Sequence, residues 1–212
     1  MKHVLFPAAL SLCVAAAPTL ADERVFDLAG FTEVSAGSGL DVEITQGDAF
    51  SVTAEGTSRA LKRLEIETRG DRLVIEQQSR GIQRFSPLMR ALGDEVVVRV
   101  TLPELTAVTA SAGSDVSVEG SAAAAFTAEA SSGADLELDG IDAQDVTLAA
   151  SSGAALEAQG RCEALEVQAS SGADLEGREL SCETAQAKAS SGARIELTAV
   201  TVAARASSGA EI

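Results

Sequence analysis

The motif Ala-Ser-Ser-Gly-Ala recurs through the second half of the chain, with its glycine at Gly133, Gly153, Gly172, Gly192 and Gly209. A degenerate copy, Ala-Ser-Ala-Gly-Ser, places Gly113 ahead of them, and successive differences are 20, 20, 19, 20 and 17 residues. A unit of that length cannot bury an apolar face by itself, so copies have to stack on one another. Positions counted from the glycine show how. Three residues after it come Val116, Leu136, Leu156, Leu175, Ile195 and Ile212, flanked by Asp115, Asp135 and Asp174 on one side and Glu137, Glu157, Glu176 and Glu196 on the other. Five residues before it come Val108, Ala128, Leu148, Val167, Ala187 and Ala204. Apolar and polar residues alternate, which is the pattern of strands with one buried face.

These observations predict an all-β protein, a right-handed parallel β-solenoid with coils of about 20 residues. Each coil is read as two short strands joined at the Ser-Ser-Gly corner, where Gly113, Gly133, Gly153, Gly172, Gly192 and Gly209 supply backbone freedom. A looser second turn is expected at Asp139-Gly140, Gln159-Gly160 and Gly177. Like residues then form columns about 4.8 Å apart. Composition agrees: aromatics are 3% of the chain and there is no Trp or Tyr, which suits thin layers of small residues.

The first half lacks Ser-Ser-Gly corners but still alternates, at Leu40-Asp-Val-Glu-Ile-Thr, Phe50-Ser-Val-Thr-Ala, Leu64-Glu-Ile-Glu, Leu73-Val-Ile-Glu and Glu95 to Leu102. Gln46-Gly47-Asp48 and Arg69-Gly70-Asp71 are read as turns between paired strands. Residues 79–94 break the pattern and read as a surface loop with one helical turn near Pro87 to Leu92. The expected division is 1–21 as a signal peptide, 22–105 as a β-rich N-terminal part that caps the solenoid, and 106–212 as the repeat solenoid.

The leader reading rests on Lys2 and His3, the apolar run Val4 to Ala17, and small residues before Asp22. It predicts export, to the periplasm or beyond the cell. The net charge of −16 argues against nucleic acid or an anionic membrane as partner. Residues 22–105 hold 15 acidic and 10 basic side chains, a net of −5, whereas 106–212 hold 17 and 5, a net of −12.

The ordered Ala-Ser-Ser-Gly-Ala-Asp-Leu series, preceded by Gly39-Leu40-Asp41-Val42-Glu43-Ile44-Thr45-Gln46-Gly47-Asp48, resembles the head GIN domain family of putative autotransporter adhesins over about residues 30 to 212. The resemblance implies a secreted or envelope-located β-solenoid of undetermined biochemical activity. This chain has no room for a translocating membrane barrel, so self-export by that route is not expected. It stops at Ile212, inside a coil.

The site candidates follow from the columns. Asp115, Asp135, Glu137, Glu157, Asp174 and Glu176 would be the ligands if Ca²⁺ were bound, since that ion takes several oxygens. The plainer reading is a solvated acidic face, and no metal or cofactor is assigned. The single histidine, His3, lies in the leader, so a Ser-His or Cys-His catalytic pair is excluded from the mature chain. No catalytic residue is assigned. The serine columns are expected to bond their own corners and neighbouring coils. Cys162 and Cys182 lie nine and ten residues after their glycines and are expected to form a disulfide between adjacent coils. The uncovered last coil predicts end-to-end self-association near Ile212. The functional expectation is a non-enzymatic interaction, adhesion or scaffold module with a protein or glycan partner. Its alternatives are a carbohydrate-binding or polysaccharide-active β-helix using stacked carboxylates, and a calcium-stabilised structural solenoid.

Overall fold

The computed structural model describes residues 22–78 and 96–212. The leader, Cys13, Glu95 and the loop expected at 79–94 fall outside the described residues. The described chain is all-β apart from one helical turn, and its strands form stacked coils.

Five long strands make the repeat: β9 (Asp115–Ser131), β10 (Asp135–Ser151), β11 (Ala155–Ala169), β12 (Asp174–Ala189) and β13 (Arg194–Ala206). Each pairs in parallel with the next, so Leu136 lies beside Val116 and Leu156, and Leu175 beside Leu156 and Ile195. The columns read from the sequence are therefore real neighbours. Val116, Leu136, Leu156, Leu175 and Ile195 are all buried, as are Val108, Ala128, Leu148, Val167 and Ala187. Each fully buried Leu or Val contributes roughly 1.5–3 kcal/mol, repeated once per coil.

The coil differs from the expected pair of short strands. One strand runs from the residue after the corner almost to the next corner, bending midway without losing its neighbours. Gly120 and Gly140 take φ of 76° and 72° at the bend, and Gly160 takes 138°. There the backbone turns while the ladder continues around it. Gly177 does not adopt positive φ; β12 instead accommodates extra residues between Gly177 and Ser181 relative to β13.

The corners hold a second surprise. Positive φ occurs not at the glycine alone but at the residue before it as well: Ser132 (57°) and Gly133 (70°), Ser152 (56°) and Gly153 (71°), and so on to Ser208 and Gly209. Two consecutive left-handed residues closed by a bond from Ala134 N–H to the Ser131 carbonyl (3.2 Å) are the signature of a type I′ turn.

The first half contains one such corner after all. Ser38 (64°) and Gly39 (66°) repeat the geometry of Ala112 and Gly113. Around them β2 (Glu33–Ala36) pairs in parallel with β8 (Ala107–Ala110), and β3 (Asp41–Gln46) with β9. The elements from Ser51 to Leu102 are inserted between that corner and the repeats, and one strand, β1 (Asp22–Phe26), precedes it. β4 (Ser51–Gly56) is antiparallel to β7 (Val96–Leu102), β1 is antiparallel to β4, and β5 (Leu64–Arg69) is antiparallel to β6 (Arg72–Gln77). The sheet is thus mixed, parallel through the repeats and antiparallel toward its N-terminal edges.

Arg69-Gly70-Asp71 forms the β5–β6 hairpin as expected, with Gly70 at φ 65°. Gln46-Gly47-Asp48 does not join paired strands, because β7 lies between β3 and β4. Gly47 is needed for that crossing: a Cβ there would stand 2.8 Å from Thr101 Cγ2. Alternation also missed α1 (Ser58–Leu61), whose N-cap Thr57 accepts a bond from Ala60 N–H at 3.2 Å. Among the described residues no helix is long and apolar enough to cross a membrane.

Candidate functional site

Register stacking turns single positions into surfaces along the solenoid axis. The first surface runs beside the corners. Glu129, Ala149, Gln168, Lys188 and Arg205 are successive register partners in β9 to β13. With the first corner serines, Ser131, Ser151, Ser170, Ser190 and Ser207, they line a groove of about 450 Å³. Its length follows from the strand spacing: four steps, roughly 19 Å. Small alanines at Ala130, Ala150, Ala169 and Ala189 line it too.

The corner hydroxyls were expected to bond the corners or the next coil. Among the described residues, the side chains of Ser131, Ser151, Ser170, Ser190 and Ser207 make no hydrogen bond to the protein. Backbone bonds hold the corners instead: Gly153 N–H to the Ser171 carbonyl (3.2 Å) and Ser170 N–H to the Ala150 carbonyl (3.0 Å) link one coil to the next. The hydroxyls are therefore available in a row. Charge along the groove is graded. Glu129 stands at one end; Lys188 and Arg205 stand at the other. Lys188 is tied to Glu166 at 3.1 Å, and that contact, helped by Gln168, holds the Glu166 carboxyl below the usual range. Arg205 has no ion pair among the described residues.

The second surface is acidic. Asp115, Asp135, Glu137, Glu157, Asp174 and Glu176 line one shallow cleft of about 250 Å³, so the structure does bring the six sequence candidates together. Among the described residues, however, no three His, Cys, Asp or Glu side chains converge as a metal ion requires. The physical reason is the register. In-phase strands project like side chains in parallel, one strand spacing apart, and not toward a common centre. The column is broken by cations at its ends. Arg99 reaches Glu43 and Glu55, each at 2.8 Å, before the acidic run begins. Those two carboxylates, Glu55 first, hold the Arg99 guanidinium above its ordinary range. Arg178 pairs with Glu196, and Arg194 approaches Asp174 (4.0 Å) and Glu211 (3.7 Å) at the far end.

The third surface lies at the bend between the two faces. Ala122, Ala123, Ala143 and Cys162 line an open depression with Asp142 and Arg161. Arg161 grips Asp142 through two bonds of 2.9 and 2.6 Å, which holds the Asp142 carboxyl below its usual range. Cys162 and Cys182, both buried, form the expected disulfide between β11 and β12, with Cα atoms 4.6 Å apart.

The groove was the feature hidden from sequence reasoning. Its outward residues were legible as water-facing positions, but concavity depends on how tightly the corner folds back, and the alanine column was its one faint signal.

Residues 30–212 match the family described as "Putative auto-transporter adhesin, head GIN domain". Three solved structures are similar across nearly their whole length. A protein from Bacteroides fragilis NCTC 9343, described as a putative adhesin, is 13% identical, with a TM-score of 0.75 over 91% of this chain and 92% of that one. A second, from Parabacteroides merdae ATCC 43184, also described as a putative adhesin, is 10% identical, with a TM-score of 0.67 over 92% and 97%. A third, from Parabacteroides distasonis ATCC 8503, is described as a putative lipid binding protein and is 12% identical, with a TM-score of 0.66 over 92% and 94%. At such identities the likeness concerns the fold. No curated protein matches the chain.

Proposed function

The chain belongs to the head GIN domain family, and on that basis we propose that it is a non-enzymatic adhesion-type module, exported from the cytoplasm, that holds an extended polar polymer of the cell envelope in the groove beside its serine corners. The observation that carries this reading is the row of unbonded hydroxyls repeated at one strand spacing over five coils. A rigid, periodic row suits a ligand that is itself extended and periodic, and each contact adds little alone but sums along the groove. Hydroxyl and amide groups favour a partner rich in hydroxyls, such as a glycan strand. The graded charge, from Glu129 to Arg205, would set its direction. The parallel, non-convergent carboxylates and the absence of any histidine after His3 support a binding role over catalysis.

The test is retention of the mature protein on isolated cell envelopes, before and after proteolytic stripping. Retention that survives stripping and is lost in an Ala149→Arg, Ser170→Trp variant with unchanged circular dichroism supports the groove. Equal retention of wild type and variant, or none of either, overturns it.

A further inference from the structure

The five groove serines have a counterpart outside the groove. Ser111 holds the same place in the corner before them, and its hydroxyl is spent inside the protein. Ser111 Oγ donates to the Ala36 carbonyl at 3.3 Å, while Ser114 Oγ accepts from Ser111 N–H at 3.0 Å and donates to the same carbonyl at 3.4 Å. At the later corners Ala134, Ala154, Ala173, Ala193 and Ala210 stand in the place of Ser114. The corner closes on the same backbone bond either way, Ser114 N–H to the Ser111 carbonyl and Ala134 N–H to the Ser131 carbonyl, both at 3.2 Å. A hydroxyl turned inward is therefore not what the repeated corner requires, and the five groove serines keep theirs free of the described protein. We propose that this row is one wall of a site for a β-1,4-linked glycan strand, laid along the solenoid axis with one sugar ring per coil. The proposal rests on the reading of the groove as a polymer site and names the class of polymer.

Period selects the polymer. The coils stack at the strand spacing, about 4.8 Å. The row cannot re-space, because backbone bonds tie each corner to the previous coil, as from Ser190 N–H to the Ala169 carbonyl at 3.0 Å. In an extended β-1,4-linked strand each pyranose ring advances by close to that spacing, so five rings stay in step with five corners. An extended peptide advances roughly 3.3 Å per residue. It returns to step only at every second coil, after three residues, and leaves alternate hydroxyls without a partner. An α-1,4-linked glycan winds into a helix and leaves the groove axis.

Width and chemistry agree with period. The serine row and the row from Glu129 to Arg205 lie two residues apart along each strand, roughly 7 Å, which admits a single strand of rings. Successive rings of a β-1,4-linked strand turn over. Each wall therefore meets secondary hydroxyls on one ring and a hydroxymethyl group on the next, and finds a hydroxyl at every step. Serine suits such a partner, since its hydroxyl both donates and accepts.

Affinity has to accumulate along the row. Among the described residues no aromatic side chain lines the groove, so no ring is held by stacking. Each coil exchanges a hydrogen bond with water for one with the glycan, which gains about two- to fivefold per ring. Because the corners repeat, a long strand can slip by one ring and find the same partners again. The site then holds a strand without selecting a position along it.

Nuclear magnetic resonance titration of the mature protein tests the inference, with the amides of the corner glycines Gly133, Gly153, Gly172, Gly192 and Gly209 as reporters. The probes are β-1,4-linked oligomers of glucose and of N-acetylglucosamine, two to five rings long. Affinity should rise about two- to fivefold with each added ring in at least one series, and the five-ring oligomer should shift all five glycines. Ser170→Ala, at the middle coil, should cost that oligomer the gain of one ring with circular dichroism unchanged; Ser111→Ala, outside the row, should cost nothing. Affinity that is flat in ring number, equal binding of the α-1,4-linked five-ring glucose oligomer, or the same glycines shifted by an oligoproline peptide overturns the inference. If isolated envelopes retain the protein through the groove but neither series binds, the glycan assignment falls and the polymer reading stands. If a series binds with rising affinity and envelopes do not retain the protein, the glycan site stands and its envelope setting falls.

Discussion

Cys162 and Cys182 are direct register partners in β11 and β12, both buried and bridged across two coils. The bond staples adjacent layers of a stack whose coils touch mainly their neighbours. Closing a loop of 20 residues is worth about 3 kcal/mol. Reduction, or Cys162→Ser with Cys182→Ser, should lower Tm by roughly 6–12 °C for a chain of this size. Calorimetry with and without reductant measures it.

Gly160 should be the least replaceable glycine of the repeats. A Cβ there would lie 2.1 Å from the Ile141 carbonyl oxygen and 2.7 Å from its nitrogen, both backbone atoms. Gly160→Ala has to open the β10–β11 bend, and a loss above ~3 kcal/mol is expected. Gly153→Ala meets open space and carries only the cost of a left-handed φ, roughly 1–2 kcal/mol. Chemical denaturation of the two variants should show that order.

Ser152 occupies the same left-handed region as Gly153, at φ 56°. Ser152→Gly removes that strain while adding freedom to the unfolded chain, so the two effects oppose and stability should change by less than about 1 kcal/mol. Ser152→Val, β-branched, should cost more than Gly153→Ala. Equal stability of Ser152→Val and wild type would show that the corner is not left-handed there.

The acidic column should respond to an inserted cation. Arg99 already bridges Glu43 and Glu55 on one face. Glu157→Arg would stand between Glu137 and Glu176 in the same way. The expected gain is small, about 0.5–1 kcal/mol, and should shrink as salt rises. Unfolding at low and high ionic strength reads both.

Asp142 should titrate below its ordinary value of 3.8, because Arg161 bonds its charged form. A carboxyl depressed by folding adds stability that is present above the unfolded value and fades as pH falls through the folded one. The window therefore lies on the acid side of 3.8. Arg161→Gln should return the Asp142 resonance to the ordinary range, and Glu166 should behave alike on Lys188→Gln. Carbon-detected NMR titration follows both residues.

Periodicity along the chain was enough to establish the stacked coils, the buried columns from Val116 to Ile195 and the Cys162–Cys182 pairing. Each depends on in-phase register, which a linear count preserves. Other features emerged only on folding. Ser38–Gly39 joins the corner series only when an insertion of antiparallel strands is folded out of the way. β7 enters between β3 and β4 because its alternate valines fit there, a choice no local turn signal encodes. The groove, too, arises from how far each type I′ corner folds back over the alanine column. Whether carboxylates converge or stand parallel likewise follows from strand register in space. Local chemistry repeats along the chain, but concavity and convergence are relations between distant coils, and they exist only once those coils are stacked.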